Sequence, residues 1–160
     1  MKVPSLTIGN ITAKVPIIQG GMGVRVSLSN LAAAVANEGG IGTIASVGLG
    51  DVEKSKQDFE RVSREALEQV IRRTKEMTSG PVAVNIMAAL SNFKDLVKTS
   101  VREGIKLIVS GAGLPLKLPG DVDDDSVNLL PIVSSGRAAT LILRTWDKRF
   151  QTTADGIILE

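Results

Sequence analysis

Gly20-Gly21-Met22-Gly23 directly follows the apolar run Val15 to Gln19. Three glycines in four residues let the backbone turn sharply and approach a flat or anionic ligand closely, although the same residues also suit a plain tight turn between strand and helix. Asn85 lies inside the apolar run Val82 to Met87. An amide there costs free energy unless it finds partners, which are either neighbouring backbone or a ligand at the strand's carboxyl end, where parallel barrels collect their ligands. Ser110-Gly111-Ala112-Gly113 and Ser134-Ser135-Gly136 end two further apolar runs with small residues. One such turn is routine, but several at equivalent strand ends suggest clearance for a large planar ligand.

Other spacings are less productive. Gly40-Ile41-Gly42-Thr43-Ile44-Ala45 matches a dinucleotide fingerprint in letters, but it precedes a strand instead of following one, the reverse of what phosphate binding at a helix start requires. Asp121-Val122-Asp123-Asp124-Asp125 begins like a calcium loop, yet Ser126 replaces the turn glycine and Ile132 stands where the bidentate glutamate belongs, so a solvated acidic loop and no metal site is expected. Arg25 and Lys117 stand near strand ends and either oppose an anion or are solvated. The 160 residues include neither cysteine nor histidine. Thiolate chemistry and disulfides are therefore excluded, and the usual neutral-pH base is missing, so acid/base work falls to carboxylates, lysines or a cofactor. With 19 Lys+Arg against 17 Asp+Glu, the net charge of +2 gives no nucleic-acid or membrane footprint.

The elements that must position these residues alternate as strand and helix. Apolar runs at Val15 to Gln19, Gly42 to Val47, Val82 to Met87, Lys106 to Ser110, Leu129 to Val133 and Gly156 to Leu159 are short, as in parallel strands covered on both faces. Ser27 is expected to cap a helix to about Asn37, with Leu28, Leu31, Ala32 and Val35 on its buried face and Gly39-Gly40 ending it. A longer helix is expected from about Val52 to Met77, with the stripe Phe59, Val62, Ala66, Val70 and Ile71. Ser91 is expected to cap a third helix with Phe93, Leu96, Val97, Ser100 and Val101 inward, stopped at Gly104. The fourth, roughly Arg137 to Phe150, buries Ala138, Leu141, Ile142 and Trp146. Leu114 to Asn128 reads as a loop with at most one helical turn. Leu6-Thr7-Ile8 and Ile11-Thr12-Ala13 flank Gly9-Asn10 as a small β-ribbon suited to plugging the bottom of a barrel. Six strands fit either an open doubly wound sheet or an incomplete barrel.

Leu6-Thr7-Ile8-Gly9, Pro16-Ile17-Ile18-Gln19-Gly20-Gly21-Met22-Gly23 and Gly39 to Ala45 closely resemble the nitronate monooxygenase family, formerly called 2-nitropropane dioxygenases. Val84-Asn85-Ile86-Met87, Val109 to Pro115 and Pro131 to Arg137 continue the resemblance in the family's order. It implies an α/β fold, the N-terminal portion (about six strands) of a TIM-type (β/α)8 barrel. It also implies FMN as cofactor and oxidation of alkyl nitronates with oxygen. Flavin-dependent enoyl-acyl-carrier-protein reductases share that fold. By position, the resemblance places Gly21, Met22 and Gly23 along the flavin ring and has Asn85 hydrogen-bond it. Glu160 falls beside the ring, at the end of the sixth strand.

In that family the sixth strand runs into a loop carrying the catalytic histidine, and later loops hold the phosphate; this sequence contains neither. The expectation is thus a single domain over 1–160, a truncated FMN-binding barrel with no catalytic residue of its own. A non-catalytic half-barrel that self-associates through open edges is an alternative, as is an enoyl-reductase-like protein. The small-molecule partner would be a nitronate. With no signal-peptide-length apolar run after Lys2 and no membrane span, a cytoplasmic protein is expected.

Overall fold

The computed structural model describes residues 3–50 and 58–160. In chain order the elements are β1 (Leu6–Ile8), β2 (Ile11–Ala13), α1 (Ser29–Asn37), β3 (Gly42–Ala45), α2 (Phe59–Met77), β4 (Val82–Met87), α3 (Phe93–Arg102), β5 (Leu107–Gly111), α4 (Leu118–Asp121), β6 (Asn128–Val133), α5 (Gly136–Phe150) and β7 (Ile158–Leu159). Five strands pair in parallel in the order β3-β4-β5-β6-β7, and the sheet curls into part of a barrel wall. Each connection from β3 to β6 passes through a helix, as parallel pairing requires.

The run Val15 to Gln19 was expected to form the first full strand. It contributes one parallel bridge, Ile18 to Ile41, flanked by Ile41 N to Ile17 O at 2.8 Å and Gln19 N to Ile41 O at 3.0 Å. Beyond Gln19 the backbone turns away at the glycines. Its side-chain amide continues the pairing in their place, with Oε1 accepting from Thr43 N at 3.2 Å and Nε2 donating to Thr43 O at 3.0 Å.

Alternation along each strand separates two cores. Ile44, Val84, Ile86, Ile108, Leu129 and Val133 face the helices and pack with Leu67, Ile71, Leu96, Val97, Ile142 and Trp146. Fully burying an aliphatic side chain of this size contributes roughly 1.5–3 kcal/mol. Ala83, Leu107, Val109 and Leu130 point to the concave side, where Ile8 and Ala13 of the ribbon cover them. Asn10 and Asn128 lock the ribbon in place: Asn128 Nδ2 donates to Asn10 Oδ1 at 2.7 Å, and Asn10 N donates to Asn128 Oδ1 at 3.3 Å. The ribbon therefore closes the amino end of the curled sheet.

The longer helices form where the periodicity places them, and α3 buries the expected Leu96, Val97 and Ser100, but the buried faces of α1 and α2 are rotated. On α1 the buried residues are Ser29, Ala32, Ala33 and Ala36, while Leu28, Leu31 and Val35 are half-buried. The reason is close approach to β3: a Cβ on Gly42 would run into the Ala32 carbonyl, so only small residues fit this face. On α2 the deepest positions are Ser63, Leu67, Ile71 and Thr74, and Thr74 satisfies its hydroxyl by donating to Val70 O at 2.7 Å. Residues 52–57, the expected start of this helix, lie outside the described residues. On α5, Ile142 and Trp146 are buried, but Leu141 is exposed. Trp146 Nε1 donates to Pro115 O at 3.0 Å, fixing the loop that holds α4.

Two expected caps are not made. The residue before α1 is Leu28, without a side-chain cap bond, and Ser27 spends its hydroxyl elsewhere. Asn92, not Ser91, precedes α3 and also makes no cap bond. Ser135 does cap α5, accepting from Ala138 N at 3.3 Å. On the outer surface, Arg72 clasps Glu103 through two bonds of 2.7 and 2.8 Å, tying α2 to the end of α3. That guanidinium holds the Glu103 carboxyl below the usual carboxylate range.

Candidate functional site

The carboxyl ends of the strands surround a cleft of about 500 Å³, a volume ordinary for a small-molecule site. Its floor and walls come from successive inward positions: Thr43 on β3, Asn85 and Met87 on β4, Val109 and Gly111 on β5, Ile132 on β6 and Ile158 on β7. The parallel register pairs Asn85 with Val109 and Met87 with Gly111, and so stacks these residues in layers. Gln19, Gly20, Gly21 and Met22 close one side, and Glu160 the other.

Gly21, Met22, Asn85 and Glu160, four of the five residues singled out in the sequence, thus line one cleft. Gly23 does not line it and lies against Val47. Asn85 is half-buried and its Nδ2 donates to Gly21 O at 3.4 Å. A Cβ on Gly21 would fall 2.5 Å from Asn85 Cβ and 2.8 Å from Asn85 Cγ, so glycine is what lets the turn lie on the asparagine. Glu160 is held by its own backbone, N to Val133 O at 3.0 Å. Among the described residues it is the only charged one in the lining, which includes no described lysine or arginine.

Of the small-residue turns, Gly111 and Ala112 border the cleft. Ser110 points outward and donates to Ile86 O at 2.9 Å, and Ser135 serves α5. Arg25 donates to the carbonyls of Gly48 and Gly50, and neither it nor Lys117 lines the cleft. In the acidic segment, Asp124 pairs with Lys106 at 2.6 Å and accepts from Ser126, which together hold its carboxyl far below the usual range. Among the described residues no group of three or more acidic side chains is arranged to hold a metal, and no helix is long and apolar enough to cross a membrane.

Three participants escaped the sequence reading. Gln19 appeared as the end of an apolar run, Ser27 as a helix cap and Thr43 as part of a discarded fingerprint. Thr43 Oγ1 is buried without a hydrogen-bond partner beside the cleft floor. The available signal was the period of two: with Ile44 facing the helices, Thr43 must face inward.

The cleft suits a flat, mostly apolar ring. Its walls are methionine, valine and isoleucine, its few polar groups converge from Gln19, Thr43, Asn85 and Glu160, and the glycine turn admits close backbone approach. Among the described residues nothing in it neutralises a phosphate.

Residues 5–140 match the nitronate monooxygenase family model. Among solved structures, FabK from Thermotoga maritima superimposes with a TM-score of 0.72 at 28% identity, over 90% of this chain and 40% of that one. Nitroalkane oxidase from Streptomyces ansochromogenes gives a TM-score of 0.69 over 96% of this chain and 47% of that one; at 16% identity this shows the fold alone. The chain is also 26% identical over 145 residues to (3aS,4S,5R,7aS)-5-hydroxy-7a-methyl-1-oxo-octahydro-1H-indene-4-carboxyl-CoA dehydrogenase from Rhodococcus jostii (strain RHA1), covering 91% of this chain and 35% of that protein. The chain therefore spans less than half the length of these relatives. It belongs to the nitronate monooxygenase family.

Proposed function

We propose that residues 1–160 form a single domain, the ring-binding part of an FMN-dependent oxidoreductase acting on alkyl nitronates. Gly21, Met22, Asn85 and Glu160 are its flavin-side residues, and Gly23 shapes the turn from behind. The observation that carries this reading is the convergence of Gly21, Met22, Asn85 and Glu160 on one cleft. When bound, the flavin supplies the electron-accepting chemistry that no side chain of this chain offers. The chain itself contributes position. Met22, Met87, Val109, Ile132 and Ile158 exclude water from a ring, and Asn85 is held by Gly21 O while its Oδ1 makes no hydrogen bond among the described residues. Glu160 is the only ionisable group in the lining among the described residues. With Glu160 assigned to the flavin ring and so not to proton removal, a preformed nitronate, which has already lost its α-proton, suits this cleft better than a neutral nitroalkane, which needs a base.

With no basic residue among the described lining, the ring alone sets the expected affinity. A ring of about 18 heavy atoms at about 0.3 kcal/mol per atom gives roughly 5 kcal/mol, a dissociation constant on the order of 100 μM. Flavin fluorescence titration tests this. We expect binding in that range, weakened by Asn85→Ala; tight binding indifferent to that substitution contradicts the proposed site.

A second reading, reduction of an unsaturated acyl thioester, has its own support. The relatives at 26 and 28% identity include a protein named for a carboxyl-CoA substrate, whereas the nitroalkane oxidase stands at 16%. Oxygen uptake with preformed nitronate, set against NADPH oxidation with an enoyl thioester, separates the two in a protein extended through the remainder of the barrel.

A further inference from the structure

We propose that Ser27 is a positioning residue for the ligand-facing glycine turn, acting through Gln19 and the backbone of residues 20–22; this rests on the flavin reading above. Ser27 is completely buried. Its place just before α1 is where a serine ordinarily caps a helix, yet α1 begins without a side-chain cap. The hydroxyl is instead fully used inside the turn: Oγ donates to Gly20 O at 3.2 Å and accepts from Met22 N at 3.0 Å and from Gln19 Nε2 at 2.9 Å. Ser27 N adds a bond to Met22 O at 3.0 Å, and Ser27 O accepts from Ala45 N at 2.9 Å, anchoring the clamp to β3.

The turn needs such a clamp because Gly20 and Gly21 have the widest conformational freedom of any residues, and a site that presents backbone to a ligand must hold that backbone still. Gln19 couples the clamp to the sheet through its two bonds to Thr43. The hydroxyl therefore fixes the Gly21 carbonyl, on which the Asn85 amide depends. Ser27 touches no cleft space itself.

The test compares the parent chain, Ser27→Ala and a variant of α5 chosen to match its thermal midpoint, Ile142→Val or Ile142→Ala, by FMN fluorescence titration and amide hydrogen exchange. Ser27→Ala is expected to weaken FMN binding about 3- to 10-fold and to speed Met22 amide exchange by about tenfold or more, while the matched variant does neither. Equal effects in both variants, or no change in FMN affinity with Ser27→Ala, overturn the proposal. If the parent takes up no flavin, the function proposed above fails, and Met22 exchange alone decides the clamp: acceleration confined to residues 20–22 upholds it, and none overturns it. Should Ser27→Ala not fold, Ser27→Cys, which keeps a weaker donor and acceptor at the same place outside the cleft, is read in the same way with a smaller expected change.

Discussion

Replacing Gly21 with alanine probes the packing on which the cleft depends. The added Cβ would lie 2.5 Å from Asn85 Cβ and 2.8 Å from Asn85 Cγ. Rotating the asparagine side chain cannot relieve the first contact, because that Cβ is fixed to β4, so the turn or the strand must shift. Overpacking of this kind costs about 1–3 kcal/mol. Losing the amide bond to Gly21 O adds about 1 kcal/mol. Gly21 does not have a positive φ, so no backbone strain contributes. Urea denaturation followed through Trp146 fluorescence should show a loss of about 2–4 kcal/mol, with weaker flavin binding. The partner substitution Asn85→Gly removes every contacted atom, so the double variant should be more stable than the sum of the single effects by about 1 kcal/mol or more. Strict additivity, or a Gly21→Ala chain as stable as the parent, would refute the claim that the turn rests on Asn85.

Three further outcomes are expected. Because Arg72 depresses the folded-state pKa of Glu103, the pair's stabilisation is present above the unfolded value of about 4.3 and is lost as pH falls through the folded one; the stability gap between parent and Glu103→Gln, measured by urea denaturation, should shrink below about pH 4.5. Ala112 adopts φ 51°, a left-handed conformation costing a non-glycine residue roughly 1–2 kcal/mol, so Ala112→Gly should be neutral or stabilising by up to about 1 kcal/mol after the entropy of glycine is subtracted. Leu159 and Ile17, 73% and 57% exposed, mark the two open sides of the curled sheet; we expect concentration-dependent self-association in sedimentation velocity, reduced by Leu159→Lys with Ile17→Lys, and a monomer at all concentrations would count against it.

The order of strands and of the longer helices was legible because the parallel strands are short apolar runs and the longer helices carry a 3.6-period stripe, and the place of Asn85 in the strand-end cleft was legible because an amide in an apolar run demands a reason. The rotated faces of α1 and α2 were not. Burying Ala32, Ala33 and Ala36 in preference to Leu31 follows from glycine contacts at Gly42, which become neighbours only in three dimensions. The role of Ser27 was hidden for a related reason: its position satisfies the rule for a helix cap, and only the folded turn shows a competing set of partners for the hydroxyl. The first run became a bridge because Gln19 substitutes side chain for backbone in pairing with Thr43, an exchange that leaves no trace in hydropathy.

The central claim, that the strand-end cleft receives a flavin ring, is tested most directly by amide chemical shifts of the isotope-labelled chain titrated with lumiflavin, which carries the ring without the phosphate. Shifts concentrated at Gly20 to Met22, Asn85, Gly111, Ala112 and Ile158, with an affinity matching that of FMN, are the predicted result. Shifts absent from those residues, or binding that requires the phosphate, would contradict it.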